Sequence, residues 1–250
     1  MTLLGQNVNS YSHNKNRFPD LLDAVAVLPG VKRVRFTSPH PQDVDDQMLL
    51  VMRDHVNLCK SIHLPLQAGS DRILKRMNRT YTRNEYLMLV DQIRNILPGC
   101  GLTTDIIVGF PGETQKDFEK TLAVMEEVKF DSAFTFKYSP RPGTKASEYE
   151  VVVPEEGKQV RLDELLVLQT CHTLFRNSQE VGKTVDVLVE KESKKSSEQW
   201  AGRTDNNKWV VFSKENAEIG EIVKVTIKDA KGITLFGELL KNQENADAIA

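Results

Sequence analysis

The sequence predicts an α/β protein: an open, partial βα barrel lacking its first unit, followed by a small all-β barrel of OB-like size. Three observations carry this expectation. Strand-like and helix-like segments alternate from Thr2 to Ser139, the order that gives parallel strands with helical crossovers. Within those strands apolar and polar residues alternate, whereas parallel strands covered on both faces read as continuous apolar runs. Beyond Gly182, five short strand-like runs separated by turn residues occupy about 60 residues, which suits a small antiparallel barrel.

The elements follow in order. Leu3-Leu4 reads as the end of a strand, and residues 21–28 as a short apolar helix after Pro19-Asp20. Residues 32–37 read as a strand and 43–56 as a helix with acidic residues in its first turn, where the helix dipole favours them. Residues 61–67 form the next strand, and Ser70 is placed to cap a short helix reaching 77. Thr82 and Glu85 have capping-box spacing for a helix that ends near 97, before Pro98-Gly99. A strand at 103–108 leads to a helix capped by Thr114, with Phe118, Leu122, Met125 and Val128 on one face. Residues 132–138 read as the last strand of the first part. Pro154 opens a long amphipathic helix to about 179, with Leu162, Leu165, Leu166 and Leu168 as core contacts. The small barrel is drawn from 184–190, 199–203, 208–212, 222–228 and 233–240, and 242–250 reads as a frayed tail. The expected domains are therefore 1–177 and 178–241.

Period-2 patterning assigns faces. Val34 and Phe36, then Ile62, Leu64 and Leu66, then Phe134, Phe136 and Tyr138, are expected to pack on the helices. Their polar neighbours, among them Arg35, His63, Gln67, Asp105 and Lys137, are expected to line an interior that holds a polar ligand. Four full strands and one truncated strand do not close an eight-stranded barrel.

Composition narrows the function. Of 250 residues, 40% are hydrophobic and 27% charged, the profile of an ordinary globular protein. No purely apolar run is longer than that at 48–52, which is too short for a membrane span, and the N-terminus has no signal-peptide pattern. A cytoplasmic location is the expectation. Net charge is −2, so nucleic-acid binding would need a local patch. Arg203, Lys194, Lys195 and Lys208, with Trp209, form the candidate phosphate-and-stacking surface. Cys59, Cys100 and Cys171 match no zinc, haem or cluster spacing and read as reduced thiols. The sequence holds no phosphate-binding glycine motif and no nucleophile elbow. In barrels of this kind function gathers at the C-terminal ends of the strands. The five loops there, beginning at Gly5, Thr37, Gln67, Gly109 and Ser139, are rich in amides, hydroxyls, Gly and Pro. Glu113 stands where a loop meets a helix N-terminus.

Several of these segments resemble hallmarks of one family. They are Leu3-Leu4-Gly5-Gln6-Asn7-Val8-Asn9-Ser10-Tyr11, Arg35-Phe36-Thr37-Ser38-Pro39-His40-Pro41, His63-Leu64-Pro65-Leu66-Gln67-Ala68-Gly69-Ser70-Asp71, Asp105-Ile106-Ile107-Val108-Gly109-Phe110-Pro111-Gly112-Glu113-Thr114 and Tyr138-Ser139-Pro140-Arg141-Pro142-Gly143-Thr144. All resemble tRNA methylthiotransferases of the MiaB type, and residues 178–241 resemble the TRAM domain of that family. The resemblance implies a radical-SAM partial barrel that binds S-adenosylmethionine (SAM) at a [4Fe–4S] cluster. It implies methylthiolation of N6-isopentenyladenosine beside the tRNA anticodon, a second cluster in an N-terminal domain, a protein reductant and a monomer. Carried over by position, Gln6, Asn7, Gln67, Asp105 and Tyr138 are implied SAM contacts, and Arg203 with the nearby lysines implied tRNA contacts. The family's Cys-x-x-x-Cys-x-x-Cys triplet has no counterpart here. This chain alone is therefore expected to be the inactive C-terminal portion of such an enzyme. Two alternatives stand beside it. One is a methylthiotransferase for threonylcarbamoyladenosine or a ribosomal protein; the other is a non-catalytic tRNA-binding product.

Overall fold

The computed structural model describes residues 1–37, 39–149 and 152–240. Ser38 and the expected tail at 242–250 lie outside the described residues. The chain divides into two compact units, Met1–Thr173 and Leu174–Ala250.

The first unit is built on five parallel strands: β1 (Thr2–Leu3), β4 (Arg35–Phe36), β5 (Ser61–His63), β6 (Gly101–Val108) and β7 (Ser132–Lys137). A small hairpin, β2 (Ser12–His13) with β3 (Asn16–Arg17), lies between the first two. β1 pairs with β4, and β5, β6 and β7 form a parallel sheet in that order. A parallel bridge between Val34 and Leu58, with the Cys59 N–H donating to the Val34 carbonyl at 2.9 Å, joins the two groups. The helices between strands are α1 (Phe18–Ala26), α2 (Asp46–Asp54), α3 (Asp71–Arg76), α4 (Arg83–Ile96) and α5 (Gln115–Val128); α6 (Glu155–Ser178) follows.

Local chemistry sets most helix starts. Asp45 accepts from the Met48 N–H, and Thr82 and Glu85 make the expected capping box. Thr114 caps α5 in the same way through Asp117. Ser70 departs from its expected part: it makes no side-chain cap bond to α3 and instead donates its hydroxyl to Asp117 at 2.6 Å. A buried carboxylate is the stronger acceptor.

One face of the sheet is the core face. Ile62, Leu102, Thr104, Ile106 and Val108 are buried there with Phe118, Val124 and Met125 of α5 and Tyr86, Val90 and Ile93 of α4. Val34 is buried, and Phe36 meets Phe18 of α1 edge-on at 5.3 Å. The expectation fails for Phe134 and Phe136, while Tyr138, just after β7, packs on the core as expected. Asp105 is in register with Phe134 and Ile107 with Phe136. Partners in register share a face, so both aromatics point away from the helices, 56% and 53% exposed. Lys137, on the other parity, pairs with Glu155 at 2.5 Å and donates to Gln159 at 3.1 Å, both on α6. The polar start of α6 takes the polar parity of β7. On α6 itself Leu165 is fully buried and Leu162 and Leu168 pack on the core, but Leu166 is 46% exposed, contrary to expectation.

The second unit contains a closed five-stranded barrel in the order β10–β12–β11–β8–β9. Its strands are β8 (Thr184–Ser193), β9 (Ser196–Arg203), β10 (Trp209–Ser213), β11 (Ile222–Lys231) and β12 (Thr234–Leu239). Closure is not wholly antiparallel as expected: β10 and β12 pair in parallel. Val187, Val189, Val210, Phe212, Val225, Ile227 and Leu235 fill its interior. Gly202 is buried where β9 crosses β8; a Cβ there would overlap the Leu188 carbonyl oxygen and come within 2.6 Å of Val187 Cγ1. Gly202→Ala is expected to destabilise the barrel by about 1–3 kcal/mol. Both tryptophans of the chain, Trp200 and Trp209, lie in this barrel. Tryptophan fluorescence during denaturant unfolding therefore reads the effect, and an unshifted midpoint would contradict it.

Candidate functional site

Parallel pairing puts the C-terminal ends of all five strands, and hence the five loops, on one edge of the sheet. At that edge Asn9 and His40 exchange two hydrogen bonds, His40 N–H to Asn9 Oδ1 at 2.7 Å and Asn9 Nδ2 to the His40 carbonyl at 3.0 Å. They tie the loop after β1 to the loop after β4. Asn7 donates through Nδ2 to Asp43 at 2.8 Å, while its Oδ1 is buried without a hydrogen-bond partner. Gln6 is exposed.

Gln67 is wedged between strand ends. Its N–H donates to the Asp105 carbonyl at 2.8 Å, and its carbonyl accepts from the Ile107 N–H at 2.9 Å. These bonds hold it at φ +69°, a left-handed conformation that costs a non-glycine residue about 1–2 kcal/mol. The preceding residues are held by Tyr81, whose hydroxyl donates to the carbonyls of Pro65 and Leu66, and by Tyr86, which donates to Leu64. Burial pushes the Tyr81 hydroxyl up to about 12, so it remains a donor. Burial raises Tyr86 as well.

Asp105 projects from the face opposite the core. Its carboxylate lies 3.3 Å from His63 Nε2, and His63 Nδ1 is 2.9 Å from the Thr103 hydroxyl. The Phe134 ring meets His63 edge-on at 5.9 Å. Tyr138 follows β7, stacks edge-on against Phe110 at 5.0 Å, and has a buried hydroxyl without a partner. Thus Gln67 and Asp105 are adjacent, Asn7 and Tyr138 occupy other loops of the same edge, and Gln6 stands exposed at its rim.

Two buried carboxylates shape these loops, and sequence reasoning missed both roles. Glu113 accepts from the Gly109 N–H and from Arg161 of α6, each at 2.6 Å. Burial raises its carboxyl, opposed by those two donors. It fastens its own loop to α6. Asp117 accepts from Ser70, Arg72 and both the N–H and hydroxyl of Thr114. Burial alone would raise its carboxyl; the bonds from Arg72, Ser70 and Thr114 outweigh that and hold it well below the usual range. Gly69, beside Ser70, lies so close to α5 that a Cβ would overlap the Lys120 carbonyl oxygen. The Thr114–Asp117 spacing was legible as a cap, but nothing local announces the partners 45 and 47 residues upstream.

On the barrel, Arg203 is bound to Glu190, with Nη2–Oε2 at 2.9 Å, and lies over the Trp209 ring at 5.0 Å. Lys191, which sequence reasoning passed over, lies 4.4 Å from the same ring. Lys194 and Lys195 are exposed in the turn between β8 and β9. Lys208 is different. It is buried, and its ammonium donates to Asn177 Oδ1 at 2.9 Å, so it serves the unit's interior rather than a surface patch.

Residues 2–125 match the Radical SAM superfamily model, and residues 178–240 match the TRAM domain. A curated relative from Porphyromonas gingivalis W83, named tRNA-2-methylthio-N(6)-dimethylallyladenosine synthase, is 50% identical over 246 residues, covering 96% of this chain and 53% of that protein. A relative of the same name from Azobacteroides pseudotrichonymphae is 51% identical over 240 residues, covering 94% and 54%. The chain belongs to the MiaB family of radical SAM proteins. It spans about half the length of the curated relatives it matches. Among solved structures, coproporphyrinogen III oxidase (HemN) from Escherichia coli, described as a radical SAM enzyme, aligns at TM-score 0.48 and 13% identity over 69% of this chain and 46% of that one.

Radical SAM chemistry implies a [4Fe–4S] cluster held by cysteine thiolates. Cys59 and Cys100 are buried and Cys171 is exposed on α6, and among the described residues no three His, Cys, Asp or Glu side chains converge to hold a metal. These residues do not fit a cluster. A polar cofactor at the strand-end edge does fit: the orphaned Asn7 Oδ1 and Tyr138 hydroxyl are buried polar atoms that a ligand would satisfy, and each costs about 1–3 kcal/mol unsatisfied.

The Asp117 hub carries a pH signature. A carboxylate held low stabilises the fold above its unfolded value, near 4, and loses that contribution as pH falls through the folded value. Asp117→Asn is expected to cost about 2–3 kcal/mol at pH 7, with the gap from the parent narrowing below about pH 4. Urea unfolding across pH checks this; a gap that stays constant on acidification would contradict it.

Proposed function

We propose that this chain supplies the SAM-binding edge and the RNA-gripping barrel of a tRNA methylthiotransferase, one that adds a methylthio group to C2 of N6-isopentenyladenosine beside the anticodon. The observation that carries this is identity of about half over nearly the whole chain with curated relatives of that name. When bound to its cluster, SAM supplies the radical that activates the adenine carbon. The part taken by this chain is binding and orientation. Asn7, Gln67, Asp105 and Tyr138 hold SAM, with Gln6 closing over it from the rim. Lys194, Lys195, Lys191 and Trp209 meet tRNA phosphates and bases, with Arg203 positioned by Glu190. The reading extends to a cytoplasmic monomer whose longer form takes electrons from a protein reductant. Among the described residues no helix is long and apolar enough to cross a membrane.

Mass spectrometry of tRNA from a strain deleted for this gene tests the proposal. The expected result is loss of the methylthio form and accumulation of N6-isopentenyladenosine. Unchanged methylthio-isopentenyladenosine would overturn it.

A further inference from the structure

The sheet face opposite the core carries a feature that the SAM contacts leave unused. Phe134 and Phe136 stand side by side on it, more than half exposed, although both are large aromatic groups in the middle of a strand. Their register partners on β6 are Asp105 and Ile107, and β5 adds His63 in register with Thr103. The face is therefore divided. One part is apolar, formed by Phe134, Phe136 and Ile107. The adjoining part is hydrogen-bonding, formed by the His63–Asp105 pair and the Thr103 hydroxyl. The two parts touch, because the Phe134 ring packs edge-on against His63. Toward the strand ends the face leads to Gln67, bonded to the backbone of Asp105 and Ile107.

A ligand suited to such a face is amphiphilic, with a short hydrocarbon group joined to a flat, hydrogen-bonding ring. A prenylated purine has that build. Resting on the reading above, we infer that Phe134 and Phe136 are specificity-determining residues that receive the N6-isopentenyl group of the substrate adenosine, while the base turns its polar edge toward His63 and the Thr103 hydroxyl. A five-carbon chain laid on two aromatic rings leaves water on one side, and apolar burial scales with the area covered. An unprenylated adenosine has nothing to place there. A discriminating contact of this kind, one of shape and apolar area, typically yields a ten- to hundredfold preference.

The test is binding by the full chain, read by fluorescence anisotropy, of two anticodon stem-loop RNAs that differ only in N6-isopentenylation of one adenosine. The parent is expected to prefer the prenylated RNA by about tenfold in Kd. The Phe134→Ser/Phe136→Ser variant is expected to bind both RNAs with the parent's affinity for the unprenylated one. Phe134→Leu/Phe136→Leu, which keeps apolar area, is expected to retain part of the preference. Thermal melts show whether each variant remains folded. Equal binding of both RNAs by the parent would overturn the inference while leaving the RNA-binding reading intact. So would a preference that survives in the folded serine variant. Loss of SAM binding in that variant, with the RNA preference retained, would assign the face to the cofactor and overturn the inference too. Failure of the parent to bind either RNA would overturn the RNA-binding reading itself, and this inference with it.

Discussion

Asp117 is buried, ionised and bonded at once to Ser70 after β5, Arg72 on α3 and Thr114 at the start of α5. Each of those segments ends a strand or starts the helix that follows one, and all lie at the edge where five parallel strands finish. Arg72 also donates to the Gly112 carbonyl, and Arg76 to that of Pro111, so the same helix grips the 109–113 loop. Glu113 closes that loop from inside through Gly109 and Arg161. The loops after β5 and β6 are thus held by buried carboxylates that have their partners, the condition under which such charges hold a geometry rather than disrupt it.

The scaffold separates stability from binding by face. Helices α4 and α5 cover one side of the sheet with apolar side chains, and the other side keeps a histidine, a carboxylate, a hydroxyl and two aromatic rings accessible. Strain is placed where binding is proposed: Gln67 holds a left-handed backbone between two strand-end hydrogen bonds. The second unit divides its labour similarly. Its interior is a small apolar core, while cations lie over aromatic rings outside it, Lys191 and Arg203 on Trp209 and Lys214 on Trp200.

Much of this was legible in the sequence, for identifiable reasons. Capping boxes at Thr82 and Thr114 are local, and their spacing declares them. The parity of Val34 and Phe36, and of Ile62, reports burial correctly because helices cover that side. The parity of β7 misleads because hydrophobicity alone does not say which face has a cover; the register with β6 shows it, Phe134 beside Asp105 and Phe136 beside Ile107. Lys208 misleads because a lysine between a turn and a strand usually faces water, whereas here Asn177 receives its ammonium in the interior. The long-range partners of Asp117 and Glu113 have no local signature at all. The parallel closure of the small barrel by β10 and β12 depends on chain topology, which strand-like runs do not specify.

The central claim is that the strand-end edge of the first unit is a preformed cradle for SAM. Hydrogen–deuterium exchange of this chain, with and without SAM, tests it most directly. The account predicts slowed exchange in the backbone around Asn7, Gln67, 105–113 and Tyr138, with the barrel strands unchanged. No change at saturating SAM, or protection confined to the second unit, would contradict it.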